Sequence, residues 1–115
     1  MSRDMNVIQA RAWYWQRISA MVLTVFVMVH LVVMIVAIRG GLTAAEILGR
    51  TKGSWTFGIF YGLFVLACAA HVPLGVVKIS QEWGRISDST AYMIGRIFAF
   101  IILVMGAAAV WGVVI

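Results

Sequence analysis

Three long apolar runs constrain this chain more than any other feature of its sequence. The first, residues 18–38, contains no charged side chain, and the others cover about residues 55–77 and 94–115. A helix needs roughly 20 residues to cross the hydrocarbon core of a bilayer. The runs are continuous, whereas strands of a membrane barrel alternate in polarity. We therefore predict an all-α membrane protein in which three transmembrane helices form a single anchor domain, residues 1–115.

The composition excludes the usual soluble and secreted classes. Hydrophobic residues make up 63% of the 115 residues and charged residues only 11%, whereas a soluble domain carries about 25% charged residues. The single cysteine, Cys68, cannot form an internal disulfide. The basic residues flank the apolar runs instead of clustering. The isoelectric point of about 10.2 therefore indicates membrane topology and not nucleic-acid binding.

The distribution of Lys and Arg predicts the orientation in the membrane. In a three-span protein the N-terminal segment and the second loop share one side. That side carries more basic residues than the other, namely Arg3, Arg11, Arg17, Lys78, Arg85 and Arg96 against Arg39, Arg50 and Lys52. By the positive-inside rule we expect the N-terminus on the cytoplasmic side of an inner membrane, or on its organellar equivalent, and the C-terminus on the other side.

Two polar segments connect the runs. Residues 42–48 are predicted to form a short surface helix, with Thr43 as its N-cap and Glu46 completing a capping box. The second connection ends in a Ser-Asp-Ser cluster, and there Asp88 or Ser89 is the expected N-cap of the third long helix.

Both histidines of the chain lie inside predicted spans, His30 in the first and His71 in the second. Ionisable residues at membrane depth are costly and mark function. The plainer alternative is a neutral imidazole that is hydrogen-bonded to a neighbouring helix. The spans contain no acidic residue for a proton relay, and a zinc site needs three or four ligands. Axial ligation of haem iron is the chemistry that fits isolated histidines on separate helices.

The two histidines are expected at different depths. His71 lies seven residues, about 10 Å, from Lys78, and His30 lies 13 residues, about 20 Å, from Arg17 on the same side. Two axial ligands of one iron must share a depth. If both histidines are ligands, we predict two haems, each completed by a histidine of another chain.

Small residues lie one helical turn to either side of His71. Ala67 and Gly75 fall on the same helix face as the histidine. A flat macrocycle lying against a helix needs that clearance. The alternative is that Pro73, which removes one backbone hydrogen bond, forms a Pro–Gly kink that serves packing alone.

Arg17 and Trp83 flank the spans on the side of the membrane where the N-terminus is expected. Arg17 has the planar fork that suits a carboxylate such as a haem propionate, and a quinone oxygen is a second candidate partner. The alternative role of Arg17 is that of an ordinary basic residue that sets the membrane topology. Trp83 is an interface anchor by position, and its indole N–H can also donate to a carbonyl.

Several short motifs follow one another in a recognisable order. Residues 16–24, QRISAMVLT, open the first span with an Arg, a small hydroxyl residue and an Ala. His71 is followed by Gly75 and then by the acidic–aromatic pair Glu82–Trp83, and residues 110–113 read VWGV. In order and spacing these features resemble the smaller hydrophobic anchor subunit of succinate dehydrogenase, a complex II anchor. The resemblance covers nearly the whole chain, including its length, span number and orientation.

The resemblance implies a non-catalytic subunit of a succinate dehydrogenase or fumarate reductase. Such an anchor forms half of a haem-binding helical bundle, carries haem b and helps to form the quinone site that receives electrons from the iron–sulfur subunit. Its implied partners are the flavoprotein subunit, the iron–sulfur subunit, a second transmembrane anchor and the lipid bilayer, with no nucleic acid.

The resemblance also assigns roles to particular residues. His71 becomes an axial ligand of the haem iron, and Arg17 contacts a propionate or lines the quinone pocket. Ser19 and Gly75 belong to the same cofactor-binding set. Trp83 takes the place of a quinone-binding Tyr, which keeps a hydrogen-bond donor but changes its reach.

His30 departs from the single-haem anchors of the family, which have no ligand at that place. The two-haem anchors have histidines in both of the first two helices, at a separation similar to the 41 residues between His30 and His71. The resemblance therefore agrees with two haems shared with a partner anchor, in which His30 is the second haem iron ligand.

Two other classes of protein stay open from the sequence. A small oligomeric transporter or channel depends on intramembrane acids or on a polar stripe along a pore, and the spans contain no acidic residue. A structural assembly subunit of the membrane would bind neither haem nor quinone.

Overall fold

The computed structural model describes residues 3–115, which form four helices joined by short connections. In chain order these are α1 (Arg3–Gly40), α2 (Ala44–Thr51), α3 (Trp55–Glu82) and α4 (Asp88–Val114). No strand occurs within residues 3–115. The helices α1, α3 and α4 are long and apolar enough to cross a membrane. The predicted all-α fold with three transmembrane helices is therefore confirmed, and the architecture is that of a multi-pass membrane protein.

Each long helix continues beyond its apolar run into the polar flank. α1 already begins at Arg3, and α4 begins at Asp88. The N-cap of α4 is Ser87, whose hydroxyl accepts the N–H of Thr90. The expectation of Asp88 or Ser89 as N-cap is therefore wrong by one or two residues. Asp88 lies in the first turn instead, where its carboxylate interacts favourably with the helix dipole.

α3 is the central helix of the bundle. α1 and α4 both pack on α3, and within residues 3–115 they make few direct contacts with each other. α4 packs closely on α3 at two small residues, Ala91 and Gly95, and both are buried. A Cβ atom added at Gly95 would lie 2.7 Å from Val77 Cγ2 and 3.3 Å from the Pro73 carbonyl oxygen. Small residues thus let the two backbones approach, as is usual between membrane helices.

The short helix α2 closes one end of the bundle. Thr43 is its N-cap and forms the predicted capping box with Glu46, whose pKa is held below its ordinary value by the hydrogen bonds from the Thr43 hydroxyl and backbone N–H. At its other end, Thr51 Oγ1 donates to the Val113 carbonyl oxygen at 2.6 Å. The Gly53 N–H donates to the next carbonyl, of Val114. Carbonyls at the end of α4 that have no partner within the helix are satisfied in this way.

The opposite end of the bundle is the basic end. We define it by the first half of α1, the end of α3, the α3–α4 connection and the beginning of α4, whose basic residues are Arg3, Arg11, Arg17, Lys78, Arg85 and Arg96. Lys78 forms a salt bridge of 3.3 Å with Glu82 one turn further along α3.

Very little of the apolar surface is turned inwards. Within residues 3–115 the buried apolar side chains are those of Val77 and Ala91. A water-soluble helical domain could not be stable with such a small core, because burial of apolar surface is its main driving force. In a bilayer the lipid tails are as apolar as the side chains, and helices associate through close packing and polar contacts instead.

Candidate cofactor site

His71 is hydrogen-bonded across the interface between α1 and α3. Its Nδ1 atom lies 3.1 Å from Ser19 Oγ, and Ser19 is buried. The single hydroxyl proton of Ser19 is donated to the Gln16 carbonyl oxygen at 3.0 Å. In the arrangement in which this bond holds the hydroxyl proton, Ser19 Oγ accepts an N–H from His71 Nδ1. This tautomer leaves the lone pair of His71 Nε2 available, which is the form of imidazole that binds a metal.

His30 lies in an aromatic cluster formed by α1 and α3. Its Nδ1 atom is 3.3 Å from the Tyr61 hydroxyl. The imidazole stands edge-on to the rings of Tyr61 and Phe64, with centroid distances of 5.7 and 5.8 Å. Phe26 and Phe60 extend the cluster on the two helices. A phenol hydroxyl both donates and accepts, so this hydrogen bond does not select one tautomer of His30.

The two histidines lie at different depths along the bundle, as the sequence led us to expect. His71 lies opposite Ser19, whereas His30 lies opposite Tyr61. The two contacts are 11 residues apart on α1 and ten residues apart on α3, which corresponds to about 15 Å along the helix axes. This distance is larger than the roughly 10 Å expected from the sequence, and it keeps the histidines from sharing one iron.

Gly75 lies one turn from His71 and is packed against α1. A Cβ atom at this position would lie 3.2 Å from Gln16 Nε2. The absence of a side chain therefore leaves room for the end of the Gln16 side chain next to the Ser19–His71 pair. The Gln16 amide oxygen, Oε1, is buried without a hydrogen-bond partner among residues 3–115. The structure thus gives Gly75 a helix-packing contact, and its place in a haem-ligand motif stays a prediction.

Arg17 and Trp83 lie apart from the Ser19–His71 pair. The Arg17 guanidinium stacks on the Trp13 ring, 4.8 Å from its centroid, on an exposed face of α1. Residues two positions apart in a helix face different directions, so Arg17 does not share the face of Ser19. Trp83 is the exposed C-cap of α3, a further 12 residues beyond His71. Their contacts with a propionate or a quinone stay predictions.

Gln16 and Tyr61 are contact residues that the sequence did not single out. The signal for Tyr61 is present in the helix register. If Ser19 is opposite His71 in an antiparallel pair, moving 11 residues along α1 to His30 leads to residue 60 of α3, next to Tyr61. No comparable signal exists for Gln16, because its packing against Gly75 depends on how closely the two helices approach.

Within residues 3–115, no group of three His, Cys, Asp or Glu side chains is placed to hold a metal ion. A metal centre built from this chain alone therefore has no ligand set in that range.

The fold and this site define a class, a three-span helical membrane protein with two histidines held at separate depths between its first two spans. Comparisons with known protein families, with curated proteins and with solved structures give no match for this chain.

Proposed function

We propose that this chain is a non-catalytic, haem b-binding membrane-anchor subunit of a succinate dehydrogenase or fumarate reductase. The observation that carries the proposal is the 3.1 Å hydrogen bond between Ser19 Oγ and His71 Nδ1. With the proton on Nδ1, this contact leaves Nε2 free for a bond to iron. The particular family is supported by the motifs at residues 16–24, at His71 and Gly75, and at Glu82–Trp83.

Different residues of this chain would hold the two histidine ligands at their two depths. The hydrogen bond from Ser19 to Nδ1 would orient the ring of His71 and favour the tautomer with a free Nε2. Tyr61 and Phe64 hold the ring of His30 at the second depth. A second transmembrane anchor would complete each axial pair with a histidine of its own. Haem b bound at these positions would supply single-electron transfer between the iron–sulfur subunit and a quinone.

The placement of charge supports the orientation and the partners. The basic end carries six of the nine basic residues, so by the positive-inside rule it faces the cytoplasm across an inner membrane. Arg17 and Trp83 lie at this end and are the proposed contacts for a haem propionate and for the quinone. The flavoprotein and iron–sulfur subunits would dock on the same side, where electrons arrive.

The test is a count of haem in the purified complex. The complex that contains this chain is isolated in mild detergent, and haem b is quantified by the pyridine haemochrome assay. We expect two haems per complex. His71→Ala and His30→Ala should each remove one, whereas Cys68→Ala, a matched change one turn from His71 on α3, should leave both.

Each outcome of this count bears on a separate part of the proposal. Purified complex without a Soret band would overturn the proposal and favour a structural subunit. One haem instead of two would remove His30 from the ligand set. If both haems survive in His30→Ala, the role of His30 is limited to its hydrogen bond with Tyr61.

A further inference from the structure

A cleft of about 480 Å³ lies between α1, α3 and α4 towards the basic end. It arises because α1 and α4 pack on the same central helix without closing on each other. Its polar lining consists of Arg11, Trp15, Tyr92 and Arg96. Neither histidine lines the cleft, so it is separate from the cofactor site described above. Its volume falls within the usual range for small-molecule sites.

The polar and apolar parts of the cleft lie at different depths. The contacts of Gly75 with Gln16 and of Gly95 with Val77 give the helix register. In that register Trp15 and Arg96 lie at one level, and Arg11 and Tyr92 lie about 6 Å further towards the basic end, one turn away.

Small apolar residues line the deeper part of the cleft. They are Ala69 and Ala70 of α3 and Ala99 of α4. From the level of Arg11 to that of Ala69, the cleft spans roughly ten residues of α3, or about 15 Å. Its lining is therefore mostly apolar, with the exposed Arg11 and Arg96 at its outer rim.

The two arginines in the cleft are not neutralised by this chain. Within residues 3–115 neither Arg11 nor Arg96 forms an ion pair or a side-chain hydrogen bond. Glu82 is paired with Lys78, and Asp88 accepts a hydrogen bond from the Gln81 amide. Two unpaired guanidinium groups on one cleft favour an anion, because guanidinium binds phosphate or carboxylate oxygens through paired N–H groups.

We propose that this cleft binds one anionic glycerophospholipid, with its phosphate at Arg11 and Arg96 and an acyl chain along the alanine-lined part. Basic pockets between membrane helices on the cytoplasmic side are suited to anionic headgroups. The apolar depth favours a lipid over free phosphate, and the two cationic groups favour it over a neutral quinone. Trp15 and Tyr92 supply aromatic contacts of the kind found at headgroup depth.

The experiment is a lipid titration of the detergent-purified protein followed by native mass spectrometry. The probes are phosphatidylglycerol and phosphatidylcholine with identical acyl chains. We expect one phosphatidylglycerol to be retained per chain, at least tenfold more tightly than phosphatidylcholine. The double variant Arg11→Gln/Arg96→Gln should lose this preference. Arg85→Gln is the matched control, because Arg85 lies at the same end outside the cleft, and it should bind as the unchanged protein does.

Two further measurements separate the source of the anion and guard against misfolding. Inorganic phosphate at millimolar concentration should not displace the lipid, and displacement would overturn the lipid assignment. The double variant Arg11→Lys/Arg96→Lys keeps both positive charges and should retain part of the preference for phosphatidylglycerol. This result would show that the loss in the double glutamine variant comes from the missing charges and not from misfolding. Equal binding of the two lipids by the unchanged protein, or full preference in the double glutamine variant, would also overturn the proposal. None of these readouts requires haem, so the result is independent of the proposed electron-transfer role.

Discussion

The regions around His71 and His30 lie between the same two helices and hold an imidazole in different ways. At His71 the neighbours are small, and the buried Ser19 hydroxyl, which also donates to the Gln16 carbonyl oxygen, is hydrogen-bonded to Nδ1 of the ring. At His30 the neighbours are aromatic rings, and the hydroxyl of Tyr61 leaves the tautomer undetermined. One ring is therefore positioned by a directional hydrogen bond and the other mainly by packing.

This difference has an energetic consequence. Hydrogen bonds between membrane helices contribute on average about 0.6 kcal/mol each, whereas edge-to-face aromatic pairs contribute roughly 0.5–1.5 kcal/mol beyond their buried area. The His30 cluster contains several such pairs, including those with Tyr61 and Phe64. The His71 region, in contrast, depends on the close approach of α1 at Gly75. The two regions should accordingly respond differently to small changes in sequence.

The largest effect is expected when the close approach at Gly75 is prevented. Gly75→Leu places a bulky side chain where a Cβ atom is already 3.2 Å from Gln16 Nε2. Forced separation of packed helices should lower the free energy of unfolding by about 3 kcal/mol, measured by thermal unfolding in detergent. Gly62→Leu is the control on the same helix, since in the described part of the chain no atom beyond the helix's own backbone lies within 4 Å of a Cβ there. Equal melting temperatures for the two variants would contradict the packing role of Gly75.

Removing the serine hydroxyl should affect the ligand more than the fold. Ser19→Ala leaves His71 Nδ1 without its acceptor on α1. Loss of such an outer hydrogen bond typically weakens metal binding by about 10–100-fold. Because the bond makes the imidazole a better donor to iron, its loss should also shift the haem midpoint potential in the positive direction. A redox titration measures this shift, which a purely structural role of Ser19 would not produce.

The control for the serine variant is another hydroxyl of α1. Among residues 3–115, the Thr24 hydroxyl bonds only to the Ala20 carbonyl oxygen of its own helix. Thr24→Val should therefore leave both the haem content and the midpoint potential unchanged. If Ser19→Ala behaves in the same way as Thr24→Val, the hydrogen bond to His71 does not tune a ligand.

A smaller effect is expected at His30. Tyr61→Phe removes the hydroxyl that lies 3.3 Å from His30 Nδ1 and keeps the ring contacts. The free energy of unfolding should fall by only about 0.6 kcal/mol, and haem retention should change less than in Ser19→Ala. Tyr14→Phe, at an exposed position on α1, should have no effect on either quantity. A loss of haem as large as that in the serine variant would show that both histidines are positioned by hydrogen bonds.

The smallest expected change has the opposite sign. Gln16 carries a buried amide oxygen without a hydrogen-bond partner among residues 3–115. Gln16→Met keeps a similar shape and removes this unsatisfied group, so it should stabilise the protein by about 0.5 kcal/mol. The exposed Gln9 of α1 supplies the control Gln9→Met. A lower melting temperature in Gln16→Met alone would mean that the amide meets a partner chain or a ligand in the membrane.

The helical fold could be predicted from the sequence because its strongest features, the apolar runs, extend over many residues. Apolar runs of about 20 residues predict helices that cross a membrane regardless of how they pack. The N-cap Thr43 was also predictable, since its capping box with Glu46 involves only neighbouring residues. The N-cap of α4 was ambiguous because three successive residues, Ser87, Asp88 and Ser89, can all cap a helix. The structure shows that Ser87 is the N-cap.

The site was predictable only in part. Two histidines at different depths follow from residue counting, and the helical period separates Arg17 from the face of Ser19. The bond between Ser19 and His71 depends on which faces of α1 and α3 meet, and apolar residues on every side of both helices conceal those faces. The cleft between Arg11 and Arg96 depends on how two helices diverge around a third. Such interhelical geometry has no short sequence pattern.

The closure of the bundle by α2 has a consequence for the order of assembly. The Thr51 hydroxyl bonds locally to the Ile47 carbonyl and, at a shorter distance, to the Val113 carbonyl, 62 residues later in the chain. Gly53 donates to the carbonyl that follows Val113. While α1 and α3 are being inserted, the carbonyls at the end of α4 do not yet exist. The segment that joins α1 to α3 therefore lacks these acceptors, and that end of the helix pair stays open. It can close only after α4 has been synthesised and has crossed the bilayer. We therefore expect protease protection of residues 51–53 to appear last during co-translational insertion, and a chain cut short before Val113 should leave that connection accessible.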